Sequence, residues 1–388
     1  MKILHVTESV RLIDGGVARA VLDLMSVLNR CGHTAMILTM DALDVPAQWK
    51  DAKDQRVFKL KTHSTKLGRL FLADRSEVKA LVQSVDFVHI HQPWHPLVAQ
   101  IAQICRSAGV PYCVSLHGTL DTWSVAQQRL KKSVYMAMFG RRMLEGAAFV
   151  HCTAAEEQRQ SEPWYLRGRT VVVPCVMDLS PFANLPGPEL ARAHFGLNDA
   201  TDRLLYLSRI HPKKGLYYLI ESMPKVLEAR SKIPGARDIE VCVAGPQEDA
   251  AYFKEIQRLI STLGLERKIR FIGHVNGAMK LSLYQACNAF VLPSSQENFG
   301  FVLFEAMVCA TPVIVTNLVD TWRELRDHGG ATIVDQNAAS VADGILQVLA
   351  MPASARQEMC ARGRAWVLQY LEESSVGTAM AAAYQSVR

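Results

Sequence analysis

The sequence predicts an α/β protein built from two similar units, each a parallel sheet with helices between its strands. Short runs rich in β-branched residues alternate with longer helical patterns, which is typical of βαβ units. This alternation of strand and helix patterns is interrupted once, in the proline-rich stretch VVVPCVMDLSPFANLPGPEL, and then resumes. The length of 388 residues agrees with two domains, since chains of this size usually divide into domains of about 100–200 residues.

In the first half, strands are predicted at KILHV, TAMILTM, DFVHIH, PYCVSL and AFVHCT, and VARAVLDLMSVLNRCG predicts a helix ending at Gly32. In the second half, strands are predicted at RLLYLSRI, IEVCVAG, IRFIGHV, AFVLPSS, TPVIVT and ATIVD. We place the domains at 1–174 and 175–370, followed by a last helix within 371–388. Because ligands of such sheets bind beyond the carboxyl ends of the strands, the motifs that follow the strands are the candidates for function.

Composition narrows the class of protein. The chain is 49% hydrophobic and 21% charged, and its net charge of +6 suits a phosphate-bearing ligand or an anionic membrane face. No dense stripe of Lys and Arg interleaved with aromatics is present, so nucleic acid is not an expected partner. Nine cysteines without a C-x-x-C pair indicate a reducing cytosol. No signal peptide or stretch of about 20 apolar residues is found, which predicts a cytoplasmic protein, soluble or peripheral.

Two glycine-containing motifs follow strands of the first half. DGGVARA places Gly15 and Gly16 before a helix, where the backbone can approach a ligand closely. It is not G-x-G-x-x-G, so a dinucleotide is not predicted, and a plain tight turn and a phosphate contact both remain open. SLHGTLDTW places His117 just past a strand, where a histidine can contact substrate or make a structural hydrogen bond.

Charged residues mark two strand ends of the second half. LSRIHPKKG combines Arg209 with Lys214 at the start of a helix. This pairing suits a diphosphate, and a solvated basic turn is the alternative. In SSQENFGFVLFEAM, Glu297 lies on a loop and Glu305 about one turn into the next helix. A carboxylate in an apolar helix start requires hydrogen-bond donors. Ligand hydroxyls could supply them, or an Arg or Lys elsewhere in the chain.

Together these motifs resemble a known family. The order of a Gly-Gly loop, His-Gly, S-R-x-x-x-K-K-G and E-x7-E is similar to that of the retaining glycosyltransferases of the GT-B fold, family 4, the class called glycosyl transferases group 1. VAGPQED, FIGHV and TPVIVT also stand where that family has similar runs. One departure is PCVMD near the junction, where members often carry P-N-G-V-D.

The resemblance implies two Rossmann-like domains with parallel sheets facing across a cleft. The N-terminal domain would hold the acceptor and the C-terminal domain a nucleotide diphospho-sugar, while the last helix would pack back on the N-terminal domain. Arg209 and Lys214 would bind the diphosphate, Glu297 the sugar hydroxyls, and Glu305 the ribose hydroxyls. His117 would contact the donor sugar near the reacting centre, so that the implied catalytic residues are His117, Arg209, Lys214 and Glu297. The other implied donor-binding residues are Gly15, Gly16, Gly245, Val275, Asn298, Phe299, Gly300, Phe301 and Val302.

The implied activity is retaining transfer of a hexose from a UDP- or GDP-sugar to a glycan or lipid-linked acceptor. It would serve bacterial-type polysaccharide synthesis (lipopolysaccharide or exopolysaccharide) or glycolipid synthesis, without a cofactor. No D-x-D stands in a suitable strand-end loop, which agrees with metal independence. Two alternatives stay open: a nucleotide-sugar epimerase on the same fold, and a non-catalytic partner that binds the nucleotide-sugar.

Two further stretches have alternative interpretations. In HIHQPWHP, His89 and His91 share one face of a strand and could be metal ligands, or strand-end histidines near the acceptor cleft, which we favour. RLKKSVYMAMFGRRML, Arg129 to Leu144, mixes basic and apolar residues. It predicts either a solvated helix, which we favour, or peripheral contact with an anionic membrane.

Overall fold

The chain divides into two compact units. A computed structural model describes residues 1–12, 16–50, 56–61 and 75–387. The N-terminal unit comprises Met1–Asp178 together with Leu371–Arg388, and the C-terminal unit comprises Leu179–Tyr370. The first unit therefore ends a few residues beyond the boundary expected after residue 174, and the last segment of the chain belongs to the first unit.

The N-terminal unit contains a parallel sheet. Its strands are Lys2–Val6 (β1), Thr34–Thr39 (β2), Val57–Lys59 (β3), Phe87–His91 (β4), Tyr112–Ser115 (β5), Phe149–Cys152 (β6) and Thr170–Val172 (β7). Their order is β3-β2-β1-β4-β5-β6-β7, and each of these pairings is parallel. Its helices are Gly16–Arg30 (α1), Arg75–Gln83 (α2), Pro96–Ala108 (α3), Thr122–Ala126 (α4), Arg129–Tyr135 (α5), Arg141–Glu145 (α6) and Ala155–Ser161 (α7). A π-helical turn, Met136–Gly140, joins α5 to α6.

The C-terminal unit contains a second parallel sheet. Its strands are Thr201–Leu207 (β8), Asp238–Ala244 (β9), Ile269–Gly273 (β10), Ala289–Leu292 (β11), Val313–Thr316 (β12) and Ala331–Val334 (β13), in the order β10-β9-β8-β11-β12-β13. Its helices are Glu189–Phe195 (α8), Leu216–Ser231 (α9), Ala250–Thr262 (α10), Gly277–Gln285 (α11), Phe301–Val308 (α12), Trp322–Asp327 (α13), Ala338–Ala350 (α14) and Ala353–Tyr370 (α15). The last helix of the chain, Glu373–Gln385 (α16), is part of the N-terminal unit.

Strand order defines where each unit can bind a ligand. In both sheets the first strand in sequence lies in the interior, and the chain builds outwards first on one side of it and then on the other. The order reverses between β1 and β4 in the N-terminal unit and between β8 and β11 in the C-terminal unit. Crevices beyond the carboxyl ends of the strands at such a reversal are the usual ligand sites of Rossmann-type sheets.

Helix α16 completes the core of the N-terminal unit. Its Gly377 lies against α1, since a Cβ atom there would stand 2.4 Å from Val27 Cγ1. At its other end the ring of Tyr384 lies 4.7 Å from that of Phe87 in β4, and Tyr384 is fully buried. A small residue at the contact permits the close approach of the two helices, and an aromatic side chain fills the space over the sheet.

The predicted α/β architecture is confirmed, and so are the strands that the apolar runs indicated. Two strands were missed, β3 and β7. Each has only three residues, lies at an edge of its sheet and is partly exposed, so neither produces a long apolar run. No single helix in the described ranges is long and apolar enough to cross a membrane. Helices α14 and α15 are long and apolar enough only when they are taken together, and a bend of 108° separates them.

Candidate functional site

In the C-terminal unit, the segments that follow β8 and β11 bring a lysine and a glutamate together. Lys214 Nζ makes an ion pair with Glu297 Oε1, and the two side chains are only 11% and 16% exposed. Burial, with the neighbouring cations Lys213 and Arg209, lowers the pKa of Lys214 to about 7. The nearby Glu248 carboxylate raises this pKa in part, because an anion favours the charged ammonium. A cation and a carboxylate therefore meet where the strand order reverses.

Two glycines allow the segments that follow β8, β9 and β11 to approach one another closely. Gly215 has φ +70°, and a Cβ atom there would stand 1.9 Å from the carbonyl oxygen of Pro293, the residue after β11. A hydrogen bond from Ser295 N to the Lys213 carbonyl, 2.8 Å, ties the same two segments. Gly245, predicted to bind the donor, has φ +140°, and a Cβ atom there would stand 2.0 Å from the Ser208 carbonyl oxygen. Gly245 thus has a packing requirement of its own, and its contact with a ligand stays a prediction.

Arg209 lies two residues beyond β8 and is more exposed than Lys214. Its guanidinium makes an ion pair of 2.6 Å with Glu248, and the two side chains are 46% and 42% exposed. Exposed pairs of this kind contribute only about 0–1 kcal/mol. An anionic ligand could therefore replace Glu248 as the partner of Arg209 at little cost. Glu248 was not among the predicted site residues, although it lies in the family-like run VAGPQED.

Glu305 has donors within the protein. Its Oε1 lies 2.8 Å from Lys280 Nζ, and its Oε2 accepts a hydrogen bond of 3.2 Å from the Tyr284 hydroxyl. The sequence left two sources of donors open, ligand hydroxyls or an Arg or Lys of the chain. The structure contains the second, Lys280, together with the Tyr284 hydroxyl, which was not predicted. Lys280 and Tyr284 are four residues apart on α11, a spacing that places both on one helix face. The Glu305 side chain keeps 15% of its surface exposed.

Between the two glutamates lie residues whose backbone is predicted to contact the donor, and the side chains of Asn298 and Phe299 make contacts within the protein. Phe299 is buried and stacks on Phe304 with ring centroids 4.6 Å apart. The Asn298 amide donates a hydrogen bond of 3.1 Å to Asp320. Gly300, with φ +74°, is the N-cap of α12, so the first backbone N–H groups of this helix, at Phe301 and Val302, belong to the same segment. This segment could therefore contact a ligand through its backbone. Val275, two residues beyond β10, is 8% exposed.

In the N-terminal unit, His117 lies two residues beyond β5 in a constrained turn. It is half-buried and has φ +52°, a left-handed conformation that is uncommon for residues other than glycine. The next residue, Gly118, donates its N–H to Glu157 Oε1 at 2.5 Å, and the other oxygen of the buried Glu157 accepts from Thr153 N. Glu157 was not among the predicted site residues. Gly16 is the first residue of α1, whereas Gly15 lies outside the described residues.

His89 and His91 lie on β4, of which His91 is the last residue, as predicted for a strand-end histidine, and both side chains are buried. With His5 they form a group whose ring nitrogens lie within 4.8 Å of one another, close enough to suggest a metal site. Zn²⁺ needs its ligand nitrogens at about 2.0–2.1 Å. Both nitrogens of His89 already have hydrogen-bond partners, Tyr384 and Ser115. The group is therefore a hydrogen-bonded network in the sheet, and ion binding would disrupt it.

The two Rossmann-type sheets, with charged residues where the second one reverses its order, define the class of GT-B glycosyltransferases. Residues 189–366 match the family "Glycosyl transferases group 1", and residues 15–175 match "Glycosyl transferase 4-like domain". The chain belongs to the group 1 glycosyltransferases, as its motifs predicted, and the protein is a glycosyltransferase.

Relatives of known name span most of the chain. An uncharacterized glycosyltransferase of Methanocaldococcus jannaschii, MJ1607, is 28% identical over 370 residues, which cover 90% of this chain and 89% of the relative. The phosphatidyl-myo-inositol mannosyltransferase of Mycobacterium tuberculosis is 26% identical over 389 residues, 97% of this chain and 94% of that protein.

Solved structures share the fold. Anabaena Alr3699/HepE in complex with UDP and glucose has a TM-score of 0.73 at 20% identity, with all of both chains covered. WaaG, a glycosyltransferase involved in lipopolysaccharide biosynthesis, has a TM-score of 0.67 at 18% identity, covering 94% of this chain and 95% of that one. These similarities confirm the GT-B fold.

Proposed function

We propose that this glycosyltransferase moves a hexose from a UDP- or GDP-sugar to a glycan or lipid-linked acceptor, with retention and without a metal ion. The observation that carries the proposal is the contact of Lys214 with Glu297 where the C-terminal sheet reverses its strand order. A relative that mannosylates phosphatidyl-myo-inositol supports a glycolipid product, and a neighbour solved with UDP and glucose supports a uridine donor. The reaction would serve surface polysaccharide or glycolipid synthesis in a bacterial-type cell.

The diphosphate would bind to Arg209 and Lys214. Departure of the nucleotide leaves negative charge on a phosphate oxygen, and fixed donors aimed at that charge are usually the largest contribution to catalysis. On binding, phosphate oxygens would replace Glu248 beside Arg209, while Glu297 would turn from Lys214 to the sugar hydroxyls. The backbone N–H groups at the start of α12 would add their dipoles.

The nucleoside would bind beside Glu305. Lys280 and Tyr284 hold this carboxylate from inside the unit and leave part of it exposed. Two vicinal ribose hydroxyls would donate to the free lone pairs of the carboxylate. Val275 would lie near the base, Gly245 near the phosphates, and the backbone from Asn298 to Val302 along the sugar and phosphate. In the N-terminal unit, His117 would contact the donor sugar, and Gly15 and Gly16 the diphosphate.

Retention would follow from attack on the same face of the sugar from which the nucleotide departs, with the departing phosphate taking the acceptor proton. Among the described residues, we assign no carboxylate to a covalent intermediate. Metal independence rests on the cations of the C-terminal unit, which would provide the positive charge that a metal ion supplies in other transferases.

The basic helical segment of the N-terminal unit, for which the sequence favoured a solvated helix, would contact an anionic membrane surface at its cytoplasmic face. Along α5 and the π-helical turn, Leu130, Val134 and Met138 are 80%, 50% and 63% exposed. Their spacing of four residues places them along one side of the segment. Basic residues flank them: Arg129, Lys131, Lys132, Arg141 and Arg142. An exposed apolar row with flanking cations is typical of helices that lie in a membrane interface.

The proposal is tested first by asking which nucleotide binds. Saturation-transfer NMR with UDP, GDP, ADP and dTDP in EDTA should identify one ribonucleotide, and Glu305→Ala should weaken its binding. A matched control is Glu358→Ala, whose carboxylate lies on the surface of α15 and is 78% exposed. Binding of none of them, or equal binding by Glu305→Ala, would contradict the proposal. Release of free nucleotide from the nucleotide-sugar, by transfer to an acceptor or by slow hydrolysis to water, would distinguish the transferase from an epimerase, which converts the sugar without releasing nucleotide.

A further inference from the structure

A row of buried side chains crosses one face of the N-terminal sheet. We call it the Tyr384 row. Tyr384 Oη lies 2.7 Å from His89 Nδ1, and His89 Nε2 lies 2.5 Å from Ser115 Oγ. Ser115 Oγ lies 2.6 Å from His151 Nδ1, and His151 Nε2 lies 2.8 Å from the Val173 carbonyl oxygen. The row therefore links α16, β4, β5 and β6.

The carbonyl at its end determines the direction of every bond in the Tyr384 row. A carbonyl oxygen only accepts, so His151 Nε2 carries the proton. A neutral imidazole has one N–H, so His151 Nδ1 accepts from the Ser115 hydroxyl, and Ser115 Oγ accepts from His89 Nε2–H. His89 Nδ1 then accepts from the Tyr384 hydroxyl. Burial lowers the pKa of both histidines, that of His151 to about 4, which keeps the two rings neutral.

A second row, the His117 row, lies on the same face and ends outside the core. His5 Nδ1 lies 3.0 Å from His91 Nε2, and His91 Nδ1 lies 3.0 Å from His117 Nε2. His5 is fully buried, and its Nε2 has no hydrogen-bond partner in the part of the chain that the structure describes. At the other end, His117 is half-buried, so the row runs from an unpaired buried atom to a partly open one.

Two proton arrangements fit the His117 row. If His117 Nε2 donates, then His91 Nε2 donates too, and the proton of His5 is left on Nε2, buried and without an acceptor. If His5 Nδ1 donates, each buried N–H has an acceptor, and the third N–H is His117 Nδ1 at the partly open end. Orphaned buried N–H groups are rare because each loses its hydrogen bond to water without replacement. The second arrangement leaves only a lone pair unpaired, on His5.

We propose that His5 and His91 are positioning residues that hold His117 as the neutral tautomer with its proton on Nδ1. His117 then offers a ligand an uncharged N–H donor, which suits a sugar hydroxyl or ring oxygen. The hydrogen bond that one ring nitrogen makes determines which tautomer the other presents. The backbone of this turn is held independently by Glu157 through Gly118. The role of His117 toward a sugar rests on the proposed function, whereas its tautomer does not.

The tautomer is measurable without any ligand. Two-bond ¹⁵N–¹H correlation spectra of the full chain, labelled with [¹⁵N]histidine, distinguish Nδ1–H, Nε2–H and imidazolium forms, and His117→Gln assigns the signal. We expect Nδ1–H for His117 and Nε2–H for His89 and His151 at pH 7. An Nε2–H or charged His117 would overturn the proposal. This measurement is made on the protein with His5 and His91 unchanged, so its result is valid even if variants at these positions do not fold.

Two substitutions at His91 separate positioning from packing. His91→Asn keeps a side-chain N–H donor near His117 Nε2, and His91→Leu removes it. We expect His91→Leu to shift His117 toward Nε2–H and to lower kcat/KM for UDP-glucose or GDP-mannose hydrolysis about tenfold, the equivalent of one hydrogen bond. His91→Asn should keep the Nδ1–H tautomer and most of the activity. An unchanged tautomer in folded His91→Leu would overturn the proposal.

A variant at the buried end makes the test stricter. His5→Leu does not touch His117, yet it removes the donor that orients His91, so the tautomer two rings away should become mixed. A tautomer that is unaltered in folded His5→Leu would overturn the role of His5. If the tautomers are as expected but the protein neither binds a nucleotide nor releases one from a nucleotide-sugar, the proposed function is contradicted and the positioning role of His5 and His91 is not.

Discussion

Lys214 and Glu297, 83 residues apart in the sequence, form an ion pair in the C-terminal unit. Each side chain is largely buried, so removing either partner leaves the other as an uncompensated buried charge, which is more costly than loss of a surface pair. The pair also places a cation and a hydrogen-bond acceptor side by side, as a ligand carrying phosphates and hydroxyls requires. Its position where the strand order reverses makes it the centre of the proposed donor site.

Removing a proposed phosphate donor should slow turnover far more than removing a surface lysine. For Lys214→Ala and Arg209→Ala we expect kcat to fall about 10²–10³-fold, the usual effect of losing one donor to developing negative charge. Lys225→Ala is the control, because its ion pair with Asp343 is exposed, and it should retain normal kcat. Steady-state nucleotide release measures all three. Normal turnover in both site variants would disprove the assignment.

Glu305 should distinguish ribose from deoxyribose. We expect the parent protein to bind UDP or GDP more tightly than the matching 2′-deoxy nucleotide, by roughly tenfold or more, since a hydrogen bond to a charged group contributes about 1.5–3 kcal/mol. Glu305→Gln should bind both forms with similar affinity in titration calorimetry. If the variant retains full discrimination, the ribose hydroxyls bind elsewhere.

Acidification should destabilise the N-terminal unit before the C-terminal one. Burial lowers the pKa of His5 to about 3 and of His151 to about 4, and it also lowers those of His89 and His91. Below pH 6.5 the unfolded chain binds protons that the folded unit does not. Stability is therefore complete above about pH 6.5 and is lost as the pH falls toward 4, by up to about 1.4 kcal/mol per unit for each such histidine.

Hydrogen exchange at several pH values checks this expectation. Protection of β4 and β5 should fall between pH 6.5 and 4.5, while that of β11 and β12, which contain no histidine, should change less. Equal loss in both sheets would show that the histidines do not control acid stability.

Gly245 should be intolerant of even one methyl group. Gly245→Ala would place Cβ 2.0 Å from the Ser208 carbonyl oxygen at φ +140°, so the backbone of the two segments must separate. Gly264→Ala is the matched control, since its φ is +63° but no atom lies within 4 Å. The control should lose about 1–2 kcal/mol from its left-handed backbone, and Gly245→Ala clearly more, in urea unfolding. Equal losses would show that the close approach is easily relaxed.

The proposed membrane surface predicts binding that depends on charge and on apolar side chains. Reversing Lys131, Lys132, Arg141 and Arg142 to glutamate, or changing Leu130 and Met138 to serine, should abolish co-sedimentation with vesicles containing anionic lipid. Lys232→Glu with Arg237→Glu serves as the control, since those side chains are exposed on the C-terminal unit. If vesicle binding is unchanged in both sets of variants, the membrane proposal is wrong and this segment is a solvated helix.

Much of the fold follows from local pattern. Apolar runs such as AFVLPSS predict buried strands because parallel strands covered on both faces lose their polar alternation. The edge strands β3 and β7 were not predicted, because each has only three partly exposed residues and therefore no such apolar run. The motif residues Arg209, Lys214, Glu297 and Glu305 could be named from sequence because each stands next to a recognisable strand or helix end.

Partners across the fold could not be named in that way. The sequence around Lys280 and Tyr284 on α11 does not indicate that they donate to Glu305 on α12. The two helices come together only when the C-terminal unit packs. Of the histidines, His89, His91 and His117 were singled out from the sequence, each by itself. Yet the hydrogen bonds of His5 with His91 and of His89 with Tyr384 depend on parallel strand register and on α16 closing over the sheet. Pattern along the chain thus determined the elements and the strand-end residues, whereas the pairing of charges and ring nitrogens arose from contacts between residues distant in sequence.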